Sequence, residues 1–593
     1  MRRKKQRKER VKRSREWSLG MAYRDDQHTS VSLQGEHTKR ADPQRSKPIT
    51  IVETVHRVEQ NAYVPRIGSM RISAQRLCVS CIALLLVPCL RTSTSSAQST
   101  RVDTVKRREG HPFAPTADAV MPELLREFAV PGSAVALIRK GKVVWMHGYG
   151  FANAASAAPI TPETVFNVGS ISKSPTAWAV MRLVDSGKVD LDRPVDFYLK
   201  RWHLPPSAFD NTQVSVRRVL SHTSGISNHD FHGWDPETAL PPIEDTLSGK
   251  TGTGEVRVVS TPGSGFHYSG ANYAILQLLI EEVSGQSFQE YVKANVFQPL
   301  GMSNSQYGLP PKFQDVMATP YDGLGGALPI LRYNELSAAG LTMTVRDLAA
   351  FAAAGLKGPS GEPPGRGVLK EQTVALMQTP APASRWADRD PYGPDPQYGF
   401  GYTVRPAQLV GKVGIGHGGS NRGWESFFQI VPSTGDGIVI MTNSSNGSAV
   451  ISSLLCSWRK WAAGQSAVVE CPKIDIRAVL YGVYRSKGAK DAVARYRELR
   501  RNAPDKYDFA VWQLNSMGYD LLRKGDTVAA IDVFRLNVEQ FPQDANVYDS
   551  LGEAYLKQGD KTLAIENYKK SLDLNPQNDN AREVLKKLEV PIG

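Results

Sequence analysis

Two stretches near the C-terminus repeat each other at a fixed distance. Residues 514–542, LNSMGYDLLRKGDTVAAIDVFRLNVEQFP, align with 548–576, YDSLGEAYLKQGDKTLAIENYKKSLDLNP. Gly518 matches Gly552, Gly525 matches Gly559, Ala530 matches Ala564, Phe534 matches Tyr568 and Pro542 matches Pro576, each pair 34 residues apart. A fixed offset of this length leaves few folds open. A period of this length marks a repeat architecture, whose units cannot bury their apolar faces alone, so neighbouring units must stack.

This period, with small residues at those positions, resembles tetratricopeptide repeats, over about 80 residues of the chain. The resemblance implies an α-helical solenoid that holds a protein or peptide partner and does no chemistry itself. Such solenoids need about three units for a continuous core, so a divergent helical pair is expected ahead of the repeats, at roughly 476–504.

A chain of 593 residues with 41% apolar side chains exceeds one ordinary domain and can bury a sizeable core. Its formal charge of +14 suggests nucleic acid at first. The distribution argues otherwise: residues 1–69 carry 17 Lys/Arg against 8 Asp/Glu, and residues 70–97 add three Arg and no acid. Only +2 remains for residues 98–593, so the folded body lacks the basic surface that phosphate binding needs.

From Met70 the chain reads MRISAQR, then LCVSCIALLLVPCL, then RTSTSSAQS. Arg71 and Arg76 precede an apolar run from Leu77 to Leu90, and Ser95 and Ala97 offer small residues for cleavage. This is the layout of a secretory signal peptide, and the run is too short to span a membrane comfortably. The expectation is a signal peptide at 70–97 with Met70 as the start of translation. Residues 1–69 are then a mispredicted or disordered basic extension, and the mature protein is secreted or periplasmic. A lipid anchor at Cys81 or Cys89 fits the preceding residues poorly. Of the five cysteines, Cys456 and Cys471 lie beyond this segment. They either pair in an oxidising compartment or stay as two structural thiols. No Cys/His cluster has metal spacing, so neither a metal nor another cofactor is expected.

Past a polar lead at 98–120, residues 121–465 mix helix and strand patterns. SAVALIRKGKVVWMHGYGFA (133–152) reads as a hairpin about Lys140-Gly141-Lys142, and WESFFQIVPSTGDGIVIMTN (424–443) as a second about Pro432 to Gly437. Strands at both ends with helices between predict an α+β fold, an antiparallel sheet flanked by helices. Two Pro/Gly-rich loops, 356–367 and 379–398, are long enough to form functional rims. A linker at 466–475 leads to the helical region, 476–593.

The chemistry starts at FNVGSISKSPTAW (166–178), where Ser170 stands three residues before Lys173. On a helix these two share a face. A serine hydroxyl needs a neighbouring base to become a nucleophile, and a desolvated lysine can serve. Ser-x-x-Lys alone is a weak signal, and Ser457 to Lys460 repeats it. Four further stretches strengthen it: RRVLSHTSGIS (217–227), FHYSGANYAILQLLIEEVSG (266–285), SAAGLTMTVRDLAAFA (337–352) and IGHGGSNRGWESFFQIVP (415–432).

In order and spacing these stretches resemble the serine β-lactamase and penicillin-binding-protein superfamily. The likeness is strongest to the branch holding class C β-lactamases, D-Ala-D-Ala carboxypeptidases, D-aminopeptidases and related esterases. The resemblance implies a β-lactamase-like fold with a helical subdomain, followed by the repeats. It implies Ser170 as nucleophile, Lys173 as its base, and Tyr268 as partner base or proton shuttle. His417, Gly418 and Gly419 take the place of the third motif, with His417 polarising the site or binding a substrate carboxylate. The oxyanion would be held by the backbone N–H groups of Ser170 and Ser420. Asn272 is the asparagine nearest to the one that usually holds the lysine and a substrate amide. The usual Tyr-x-Asn has Gly270 in third place here, and Pro175 lies five residues past the nucleophile. His222 is expected to brace its own loop. Arg422 and Trp424 either read a substrate or serve as surface and core. The implied activity is acyl-enzyme hydrolysis of an ester, amide or peptide carbonyl, of the esterase or D-amino-acid peptidase type rather than true β-lactamase. The competing reading is an inactive scaffold that binds partners through its repeats.

Overall fold

The computed structural model describes residues 111–228, 233–309, 311–386, 396–405, 412–464, 469 and 471–590. The expected signal segment at 70–97 and the basic extension at 1–69 lie outside the described residues, as does most of the polar lead. Among the described residues no helix is long and apolar enough to cross a membrane.

The first helix, α1 (Ala114–Glu127), leads into β1 (Gly132–Arg139), β2 (Lys142–Asn153) and β3 (Ala158–Pro159). β1 and β2 form the hairpin that the sequence predicts. Its turn puts Lys140 and Gly141 at φ 51° and 69°, the two positive values that a tight turn matching the strand twist requires. A small sheet of β4 (Val165–Asn167), β5 (Gln306–Tyr307) and β6 (Leu341–Thr344) sits apart, with β6 in the middle. The remaining strands are β7 (Gln397–Tyr398), β8 (Thr403–Arg405), β9 (Gly414–Asn421), β10 (Trp424–Val431) and β11 (Asp436–Thr442). They complete an eight-stranded sheet ordered β3-β2-β1-β11-β10-β9-β8-β7. β1 and β11, from opposite ends of the domain, pair antiparallel from Ser133↔Thr442 to Ile138↔Gly437.

Both faces of this sheet are covered, which is why β1 reads AVALI without polar alternation. Ala134, Ala136 and Ile138 join the core that holds α2 (Lys173–Asp185), α3 (Gly270–Ser284) and α5 (Val345–Ala354). The short helix α4 (Leu336–Ala339) lies between α3 and β6 in the chain. Val135 and Leu137 face a second core built by α1 and α6 (Gly447–Ala463). Strand β10 divides the same way. Trp424, Phe428 and Ile430 join the first core, while Phe427 and Val431 join the second. The period of two places alternate residues on opposite faces.

The second core continues into the C-terminal helices. These are α7 (Ile476–Lys487), α8 (Ala489–Asn502), α9 (Val511–Lys524), α10 (Thr527–Gln540), α11 (Ala545–Gln558), α12 (Lys561–Leu574) and α13 (Asp579–Lys587). The 34-residue period has a packing cause. A methyl on Gly518 would fall 2.4 Å from the Phe534 ring, and one on Gly552 3.2 Å from the Tyr568 ring. The glycine on one helix of each unit leaves room for the aromatic ring on the next. Helices α7 and α8 occupy the stretch where a divergent pair is expected.

Cys456, on α6, is bonded to Cys471, with Cα atoms 4.9 Å apart. Of the two alternatives for these cysteines, the structure has the disulfide. The loop 356–367 is no rim of the Ser170 site. It packs on the β1–β2 turn, where a methyl on Gly141 would meet the Lys357 carbonyl oxygen and Arg366 Nη2 donates to Gly141 O. That turn lies at the end of the sheet away from Ser170.

Candidate active site

Ser170 does not lie in the α-helix proper. Gly169–Ser172 form a single 3₁₀ turn that runs directly into α2, with Lys173 as its first residue. In a 3₁₀ turn residues i and i+3 eclipse, so the two side chains stack over one another. Lys173 Nζ lies 3.0 Å from Ser170 Oγ and donates to Ala338 O at 2.9 Å. Pro175 falls in the first turn of α2, where a missing N–H costs little.

Lys173 is 2% exposed and, among the described residues, faces no carboxylate. Burial pulls its pKa down to about 7. Much of the ammonium is therefore neutral near pH 7 and able to accept a proton. Burial holds the Tyr268 phenol protonated, with its pKa raised, and the Ser170 side chain beside it acts in the opposite sense. The Lys173 ammonium lies 5.0 Å from the Tyr268 ring centre and 5.9 Å from that of Tyr273. Ser170, Lys173 and Tyr268 thus form one cluster.

The third motif approaches the same turn from β9. A methyl on Gly419 would fall 1.9 Å from Val168 O and 3.0 Å from Ser170 N. Gly169, at φ 51°, returns the constraint: a methyl there would lie 2.7 Å from Ser420 N. Two backbones meet without side chains between them, which brings the amides of Ser170 and Ser420 to one place. Side-chain amides stitch the contact. Asn167 Oδ1 accepts from Gly169 N at 2.9 Å and from Asn421 Nδ2 at 2.6 Å, and Asn421 Nδ2 also donates to Ala339 O at 3.1 Å.

His417 is buried on the same face of β9. Its Nδ1 donates to Gly418 O at 2.5 Å, and its Nε2 accepts from the Tyr398 hydroxyl at 2.8 Å. A carbonyl only accepts, so the proton sits on Nδ1. Burial and the nearby Lys173 charge push the ring pKa down to about 3. The expected role of His417 as a carboxylate binder has no open nitrogen; the ring is a neutral strut. Asn272 departs further from expectation. It is fully buried, with Oδ1 accepting from Ser224 Oγ at 2.6 Å and Nδ2 against His222 Nδ1 at 3.2 Å. Its place two residues later on α3 turns its amide into the fold, where it cannot meet a substrate.

His222 braces its surroundings as its sequence context suggests. Its Nδ1 accepts from Ser269 N at 3.2 Å, and its ring lies 4.5 Å from Tyr268. Trp386 stacks flat on Tyr268, 5.2 Å away at 11°, and Phe266 lies 5.2 Å from Trp386. This aromatic wall comes partly from the loop 379–398, of which residues 387–395 lie outside the described residues. Trp424 is a core residue, edge-on to Phe166 at 6.0 Å, whereas Arg422 is exposed. Asn167, Ala338 and Tyr398 have structural roles here that the sequence did not single out. Asn167 and Ala338 lie inside quoted motifs, but nothing in the pattern marks which carbonyl or amide faces the lysine.

A model of the family described as Beta-lactamase matches residues 117–452, and one of the tetratricopeptide repeat matches 545–578. A putative penicillin-binding protein of Bacillus subtilis is 25% identical over 370 residues, 60% of this chain and 82% of that one. A D-aminopeptidase of Brucella anthropi is 29% identical over 302 residues, 50% of this chain. The match spans about half of that relative, 52% of its length. Among solved structures, an octameric penicillin-binding protein homologue from Pyrococcus abyssi is 28% identical, with a TM-score of 0.48 over 56% of this chain and 74% of that one.

Proposed function

The chain belongs to the β-lactamase family of serine hydrolases, and from that premise we propose that it is an acyl-enzyme hydrolase acting on ester or D-amino-acid peptide bonds rather than on β-lactams. The observation that carries the reading is the buried Lys173 Nζ 3.0 Å from Ser170 Oγ, with the Tyr268 ring 5.0 Å from the same nitrogen. Neutral Lys173 takes the Ser170 proton as Oγ bonds to the substrate carbonyl carbon. The amides of Ser170 and Ser420 hold the resulting oxyanion. The Lys173 ammonium returns that proton to the leaving group by way of Tyr268, which leaves Lys173 neutral again; water then attacks the acyl-enzyme carbonyl, gives its proton to Lys173, and Ser170 Oγ takes that proton back as its bond to the acyl carbon breaks.

Two features favour the ester and D-peptide reading. Gly270 presents no side chain where an asparagine would hold a substrate amide, and Asn272 is occupied inside the fold. His417 stands where β-lactamases commonly carry lysine, and it is neutral. The apolar segment at 77–90 and the Cys456–Cys471 bond support secretion into an oxidising compartment. The repeats would tether the enzyme to a protein or peptide partner.

The test is the intact mass of the full chain after a fluorophosphonate and, separately, a penicillin, for the parent and for Ser170→Ala. A fluorophosphonate adduct lost in the variant, with slow or no penicilloylation, is the expected result. No adduct in a folded sample would overturn the reading and favour a binding protein that works through its repeats.

A further inference from the structure

The catalytic face of β9 carries His417, Gly419 and Asn421. The back face carries Ser420, and directly across from it on β10 stands Glu425. Ser420 Oγ donates to Glu425 Oε1 at 2.6 Å. This carboxyl lies on the same face of β10 as Phe427 and is half-buried, while Ser420 is exposed. There it feels two charges, Asp475 and Arg477, at the start of α7.

Arg477 is already committed. Its Nη2 lies 2.6 Å from Asp475 Oδ2 and its Nε 3.1 Å from both oxygens. Its guanidinium also covers the Trp512 ring at 4.6 Å, on α9, and lies in the field of Asp520 and Tyr481. Glu425 therefore has a carboxylate neighbour and a cation whose hydrogen bonds go elsewhere. Its carboxyl accepts from the side chain of the residue whose backbone N–H is assigned to the oxyanion.

We propose that Glu425 is a positioning residue for the oxyanion strand: its carboxyl, directly across from Ser420 on β10, holds the Ser420 side chain from behind. This rests on the hydrolase reading of Ser170. Desolvation raises the Glu425 pKa to about 8, against the Ser420 hydrogen bond; Asp475 adds to the rise and Arg477 opposes it, so the protonated form dominates near neutrality. Ionisation would place a second negative charge beside Asp475 and pull the side chain toward Arg477, away from Ser420.

The experiment uses the full-length chain with Glu425→Gln, Glu425→Leu, Ser420→Ala and the Ser420→Ala/Glu425→Leu double variant. Acylation by a fluorophosphonate is followed against pH, and amide hydrogen exchange is read on the peptide spanning 418–421. Glu425→Gln keeps a neutral hydrogen-bonding group. It should match the parent at pH 7 and lose the fall in rate that the parent shows above about pH 8. Glu425→Leu should acylate at least fivefold more slowly and exchange faster at 418–421, and the double variant should be no worse than either single one. Parent-like rates, pH profile and exchange in both Glu425 variants would overturn the proposal. If Glu425→Leu does not fold, the Glu425→Gln profile decides. If the parent itself is not acylated, the hydrolase reading fails, and exchange at 418–421 still decides whether Glu425 holds the strand.

Discussion

Lys173 Nζ stands 3.0 Å from Ser170 Oγ and also donates to the carbonyl of Ala338. Burial lowers its pKa to about 7. The acylation rate should therefore rise with pH through about 7, as the lysine loses its proton. Lys173→Arg, which cannot deprotonate, should lower acylation by about 100- to 10,000-fold without unfolding the chain. A pH–rate profile of fluorophosphonate labelling checks both.

The same shift has a stability consequence. The folded state binds fewer protons than the unfolded state between the folded pKa of about 7 and the unfolded lysine value near 10.5. Stability contributed by this site should thus rise with pH across that window and be lost below it. Lys173→Met should flatten the dependence and raise stability at pH 6, as urea unfolding at pH 6 and pH 9 would show.

The Tyr268 ring lies 5.0 Å from Lys173 Nζ, beside Ser170, and stacks on Trp386. Tyr268→Phe removes only the hydroxyl. It should cost about 100-fold in acylation and leave the melting temperature within a few degrees of the parent's. A large loss of stability instead would make the tyrosine a packing residue.

Gly419→Ala forces a methyl to within 1.9 Å of Val168 O and 3.0 Å of Ser170 N. The two backbones must part, which separates the amides of Ser170 and Ser420. Labelling of Ser170 should drop at least 100-fold, with a stability loss of about 1–3 kcal/mol. Intact mass and thermal unfolding read the two effects.

The Cys456–Cys471 bond closes a short loop, the two residues lying 15 apart in sequence. A crosslink of that length is worth about 3 kcal/mol by chain entropy. Cys456→Ser/Cys471→Ser should melt at a lower temperature than the oxidised parent, and adding reductant should bring the parent down to the variant.

Much of this protein was legible in one dimension because its signals are local or periodic. The 34-residue offset marked the helical repeats, since each glycine-to-aromatic contact recurs wherever the unit does. The hairpins at 133–152 and 424–443 could be read from apolar runs flanking turn residues. Ser170, Lys173 and Tyr268 lie in short motifs whose residue types are the chemistry. What could not be read depends on which atoms face each other across the fold. The sequence offered Asn272 as a substrate contact, yet its amide is consumed by Ser224 and His222. It offered His417 as a charge reader, yet burial and two hydrogen bonds make it neutral. The Ala338 carbonyl that anchors the lysine, and Glu425 behind the oxyanion strand, carry no sequence signal because their roles arise from segments more than 160 residues from Ser170 in one case and from the pairing of β9 with β10 in the other. Local sequence determined the elements and the reacting groups; tertiary burial decided which of those groups are charged, which are free, and which are spent holding the others in place.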